Sequence, residues 1–119
     1  MRLFIILFLV SLVFPDNCNM ELIGSLEFDQ GLSDITGFYQ DGREFAVVGL
    51  IGKDAAAFVD ITDPDSPFEV GRISGTPSPW RDLKYWNRHV YIGTEAQDGV
   101  IVISVDDPDI PDSVYTITD

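Results

Sequence analysis

The alternation of apolar and polar residues along this chain is written twice. The run "FVDITDPDSP" (58–67) is a strand-like apolar stretch that ends in aspartate and proline, and "VISVDDPDIP" (102–111) repeats it. Sliding the sequence by 44 positions lays residues 45–74 on residues 89–118 without a gap. Eight of those thirty positions are identical: Gly49 with Gly93, Asp54 with Asp98, Asp63-Pro64-Asp65 with Asp107-Pro108-Asp109, Pro67 with Pro111, Val70 with Val114, and Ile73 with Ile117. Ordinary composition would give about two.

Each unit predicts three strands, "EFAVVGL", "AAFVDIT" and "FEVGRIS" in the first and "HVYIGTE", "VIVISVD" and "DSVYTIT" in the second. Their β-branched, nearly continuous apolar character suits a sheet covered on both faces. The turns carry Gly52-Lys53-Asp54 and Gln97-Asp98-Gly99, then the Asp-Pro-Asp-x-Pro stretch. Proline there fixes φ and removes a donor, and aspartate caps the turn. A further strand precedes each unit, "SDITGFYQ" before the first and "WRDLKYW" before the second, closed by Asp41-Gly42 and Asn87-Arg88 as tight hairpins. "ELIGSLEF" (21–28) reads as one more strand. The expectation is an all-β chain with repeat units at about 33–75 and 78–119, each a four-stranded antiparallel sheet. Four short strands per ~40–50 residues is the spacing of a β-propeller blade, so the expected architecture is a partial propeller of about two blades. A β-sandwich is the competing one.

The first residues break this pattern. "MRLFIILFLVSLVF" carries one Arg and then a mostly apolar run from Leu3 to Phe14, too short for the ~20 residues of a spanning helix. A charged tip and short apolar core have the form of a secretory signal. Residues 1–18 are therefore expected to be a signal peptide and 19–119 the propeller portion. Cys18 lies where a lipid-modified cysteine would, although Asn17 before it is large for a lipobox. As the chain's single cysteine it can form no internal disulfide.

Twenty acidic against seven basic residues give a formal charge of −13. Such a surface repels phosphate backbones and anionic membranes, so nucleic acid is not an expected partner. No cofactor or metal is expected. Asp63, Asp65, Asp107 and Asp109 carry oxygen ligands of the kind Ca²⁺ uses, but without EF-hand spacing, and turn capping accounts for them better. His89, the only histidine, opens a strand beside a turn, and no nucleophile-elbow, zinc or P-loop spacing accompanies it. The chain is therefore read as not an enzyme. The surface of interest is "SPWRDLKYW" (78–86). If its strand is the innermost of a blade, Trp80, Arg81 and Asp82 lie near one mouth of a central channel, and Asp34 holds the comparable place one blade earlier. The alternative is structural, with Arg81 and Asp82 pairing to a neighbouring blade and Trp80 packing between them.

These stretches together resemble a known family. "VVGL…AAAFVDITDPDSPFEVG" resembles the LVIVD repeat, in which a Leu/Val/Ile-rich strand ends in Asp before an x-Asp-Pro-x-x-Pro turn. The order "NMELIGSL" (19–26), "SDITGFYQDGREFAVVG" (33–49), "DITDPDSPFEVG" (60–71), "WRDLKYW" (80–86) and "IPDSVYTI" (110–117) resembles that of the choice-of-anchor B proteins. Thr36 stands where that family usually has Trp. The resemblance implies a secreted or cell-surface propeller with no catalytic residues to carry over. The expected function is an exported interaction module binding protein or glycan partners. The alternative is the N-terminal fragment of a secreted propeller hydrolase whose active site lies in further blades. Two blades would leave apolar faces and strand edges open, so either more blades follow or copies of the chain self-associate.

Overall fold

A computed structural model describes residues 20–109 and 111–117. The leader, Cys18, Ile110 and the last two residues lie outside the described residues, and with them the signal-peptide and lipidation expectations. The described chain is all-β, with eight strands in two antiparallel sheets. The first sheet joins β1 (Leu32–Gln40), β2 (Arg43–Leu50), β3 (Asp54–Asp60) and β4 (Phe68–Ser74) in sequence order. The second joins β5 (Arg81–Trp86), β6 (His89–Thr94), β7 (Val100–Ser104) and β8 (Asp112–Ile117) in the same way. Each expected repeat is thus one complete meander.

The local reasons are those the sequence offers. Asp41 (φ 51°) and Gly42 (φ 84°) both take positive φ, as do Asn87 (φ 46°) and Arg88 (φ 59°). Two central residues at positive φ make the turn whose twist matches a two-residue hairpin. The Asp-Pro turns are equally alike: Asp63 accepts from the Asp65 amide and Asp107 from the Asp109 amide, each at 3.1 Å. Both sheets also carry an irregularity between their third and fourth strands, at Phe58/Val59 and at Val102/Ile103.

The sheets stack face to face around one core. Phe45, Val47, Ala56 and Phe58 of the first meet Leu83, Val90, Ile92, Ile101 and Ile103 of the second, all of them buried. The close approach is made by β5 against β1 and β2. Phe38 lies between Phe45 and Tyr85, with ring centroids 5.0 Å and 4.7 Å away and nearly parallel planes. Every residue of β3 is buried, which explains its unbroken apolar run.

"ELIGSLEF" differs from expectation. It joins no ladder and lies across the far face of the first sheet. Gly24 sits against the Pro64 carbonyl and the Pro67 ring, where a Cβ would lie 2.1 Å and 3.2 Å from them. Gly24, Leu26 and Phe28 line a hollow with Ala46, Val48 and Val59. Alternation alone does not make a strand; an edge must be aligned to receive it, and this segment meets a face instead. Arg72 ties its end down, pairing with Asp29 at 2.7 Å and Glu69 at 2.6 Å.

Candidate functional site

The four residues singled out from the sequence fall at one end of the contact between the sheets, and the structure separates them by burial. Arg81 is buried at 5% exposure, while Trp80 is 65% exposed and Asp82 is also exposed. Asp34 is half-buried.

Arg81 opens β5 and points back into the first sheet. Its Nε donates to the Leu50 carbonyl, and its Nη2 donates to the Thr76 carbonyl at 2.8 Å. The guanidinium therefore ties the end of β2, the connection between the sheets and the start of β5 together. Its Nη1 is buried without a hydrogen-bond partner. Burial lowers the Arg81 pKa from its usual value, against the pull of the nearby Asp98 charge. Asp98 is held in turn by Thr76, whose amide and hydroxyl both donate to its carboxylate at 2.6 Å. Those two bonds keep the Asp98 carboxyl below the ordinary aspartate range.

Asp34 makes the second polar tie. Its Oδ2 accepts the Leu83 amide at 2.8 Å, across the gap between β1 and β5. That bond, followed by one from the Ile35 amide, holds its carboxyl below the usual value. The Leu83 side chain enters a notch at Gly49: a Cβ on that glycine would lie 2.8 Å from Leu83 Cδ1 and 2.7 Å from Ser33 Oγ. Arg81 and Asp34 thus act between the sheets. Trp80 and Asp82 face outward, around a depression of about 420 Å³ bordered by Gly93, Thr94 and Glu95. Asp82 pairs there with exposed Lys84.

At the opposite end, Arg43 bridges the sheets. It meets Asp60 of the first, and its Nη1 and Nη2 donate to the two Asp109 oxygens at 2.8 Å each. Arg88 reaches Asp41 nearby, joining the two hairpin turns at 3.3 Å. Asp109, one of the four turn aspartates, is therefore an ion-pair partner, and Asp63 and Asp107 are turn caps. Among the described residues no three His, Cys, Asp or Glu side chains gather as metal ligands would. His89 Nδ1 lies 2.8 Å from the Asn87 carbonyl of its own turn.

Leu83 and Asp98 are the residues of this end that sequence reasoning passed over. Leu83 is one apolar strand residue among many, and only the stacking singles it out. Asp98 carried a signal, its identity with Asp54 in the repeat, although the two differ in role. Asp54 accepts from Gln30 and Arg72, whereas Asp98 caps Thr76. No family model, curated protein or solved structure matches the chain.

Proposed function

We propose that this chain is an exported, non-catalytic interaction module of β-propeller type, acting at the cell surface or beyond it on a protein or glycan partner. The observation that carries the reading is the stacking of one four-stranded meander on its own repeat. In a propeller each blade is such a meander, and its faces are covered by the blades on either side. Here Leu83 of the second sheet fills the notch at Gly49 of the first, and Phe38 stacks on Tyr85. Resemblance to the LVIVD repeat and the choice-of-anchor B pattern points the same way. The charged, apolar leader supports export.

A scaffold of this kind presents its partner-binding groups where the sheets end. Trp80, exposed beside a depression, is the leading contact residue: it offers a large rigid area of the sort that anchors interfaces and stacks on sugars. Arg81 and Asp34 support that end from within.

The test has two arms. Expressed from its own first codon, the chain should appear outside the cytoplasm with a mass lacking roughly the first 18 residues. Retention inside at full mass would overturn export. The purified chain should then capture a protein or glycan from an extracellular extract, and Trp80→Ala should weaken that capture about tenfold with unchanged thermal stability. Capture indifferent to Trp80→Ala would remove this surface from the reading.

A further inference from the structure

The outward face of the second sheet is the repeat-equivalent of the face of the first sheet that the second sheet covers. Strand register makes the correspondence residue by residue. Phe45 pairs with Phe38 and Asp60, and His89 pairs with Trp86 and Ser104. Counting equally from those anchors, Asp82 corresponds to Asp34, Gly93 to Gly49, and Trp86 to Phe38.

Each of these positions is occupied in the first sheet and open in the second. Asp34 accepts the Leu83 amide, while Asp82 is exposed. Gly49 is filled by Leu83, while a Cβ on Gly93 would meet nothing nearer than the Asp82 carbonyl at 3.9 Å. Phe38 is 8% exposed under Tyr85, while Trp86 is 67% exposed. The depression bordered by Trp80, Asp82 and Gly93 is the hollow that a residue in the place of Leu83 would fill.

The chain carries the matching surface. By the same register, Leu83, paired with Ile92, corresponds to Ile35, paired with Val48. Tyr85 corresponds to Gly37. Ile35 lies on the far face of the first sheet and is 64% exposed. The segment carrying Gly24, Leu26 and Phe28 covers Ala46, Val48 and Val59 on that face, but Ile35, Gly37 and Tyr39 of β1 remain exposed. The sizes are complementary: the bulky Trp86 would face Gly37, which has no side chain, where the smaller Phe38 faces Tyr85.

We infer that the outward face of the second sheet is a docking site for a second copy of this chain, which seats Ile35 in the hollow at Gly93, beside Asp82. The inference rests on the blade-stacking part of the function proposed above. It places Asp82 between copies and leaves Trp80 at the rim for a partner. The contact is head-to-tail, so it either closes into a ring or runs on. Rings of two to four copies would contain the ~4–8 sheets of closed propellers.

The test is sedimentation of the full chain over a range of concentrations, at high salt to screen repulsion between chains of charge −13. The wild type should associate. Gly93→Val and Ile35→Lys should each weaken association about tenfold or more, because one fills the hollow and the other removes the apolar knob. Both leave the single chain folded, since Gly93 has open space and no positive φ, and Ile35 is exposed. A wild type that stays monomeric, or an association that neither variant weakens, overturns the inference. A monomer that instead binds a foreign protein through Gly93 overturns it as well. Gly49→Val separates this failure from failure of the stacking itself: it should lower the thermal midpoint by roughly several degrees, because Leu83 and Ser33 stand where its side chain would go, while Gly93→Val does not. If Gly49→Val is as stable as wild type, the stacking is wrong, and not only its extension to a second copy.

Discussion

Replacing Arg81 with alanine measures how much of the contact between the sheets depends on one buried cation. The side chain donates to the carbonyl of Leu50, a fully buried residue, and to that of Thr76, an exposed one. Alanine leaves the Leu50 carbonyl without its donor inside the fold, which costs about 1–3 kcal/mol, whereas water can replace the donor at Thr76. Loss of the methylene stem, at about 0.8 kcal/mol per buried CH₂, adds about 2 kcal/mol. Against this, the folded state no longer buries a guanidinium whose Nη1 is unpaired. The net expectation is a loss of about 2–4 kcal/mol, a large part of the ~5–15 kcal/mol that holds a typical domain together. Urea unfolding followed by tryptophan fluorescence should show a lower midpoint with an unchanged slope. Arg81→Met, which restores the stem without the donors, should recover part of the loss. Arg81→Lys should recover little, because a single ammonium cannot span two carbonyls as a planar fork does. A stability within about 0.5 kcal/mol of wild type for Arg81→Ala would refute the assignment, since changes of that size are typical of surface positions. If partner capture fell at the same time, Arg81 would belong to the recognition surface.

Two further predictions follow from the core and from the acidic groups. Phe58→Ala, at a fully buried position facing the second sheet, should cost about 3–5 kcal/mol and shift the thermal midpoint down accordingly. At Asp60, burial pushes the carboxyl pKa up, but hydrogen bonds from Thr62 and the Arg43 charge outweigh it and hold it below the usual value. A carboxyl depressed in the folded state adds stability above its unfolded pKa, and that stability disappears as pH falls through the folded value. The stability difference between wild type and Asp60→Asn should therefore be full at about pH 6 and shrink below about pH 4. A difference independent of pH would mean that the charge on Asp60 does not contribute.

The sequence by itself marked the eight strands of the two sheets, their order and their grouping in fours, along with a ninth, "ELIGSLEF", that does not form. Those features are local: β-branched alternation makes strands, Asp41-Gly42 and Asn87-Arg88 make tight turns, and Asp-Pro stops a strand wherever it occurs. Only the tertiary structure decided which face of each sheet meets the other, and so which groups remain outside. Arg81 and Trp80 are neighbours in sequence and equally plausible as surface residues, yet one enters the first sheet and the other meets solvent. Asp34 and Asp82 hold equivalent places in two similar units and differ only because a sheet covers one of them. "ELIGSLEF" has the alternation of a strand but no aligned edge to pair with, so it lies on a face. Burial and pairing are properties of what lies opposite a residue. In a repeat, the same local sequence meets different neighbours on its two sides.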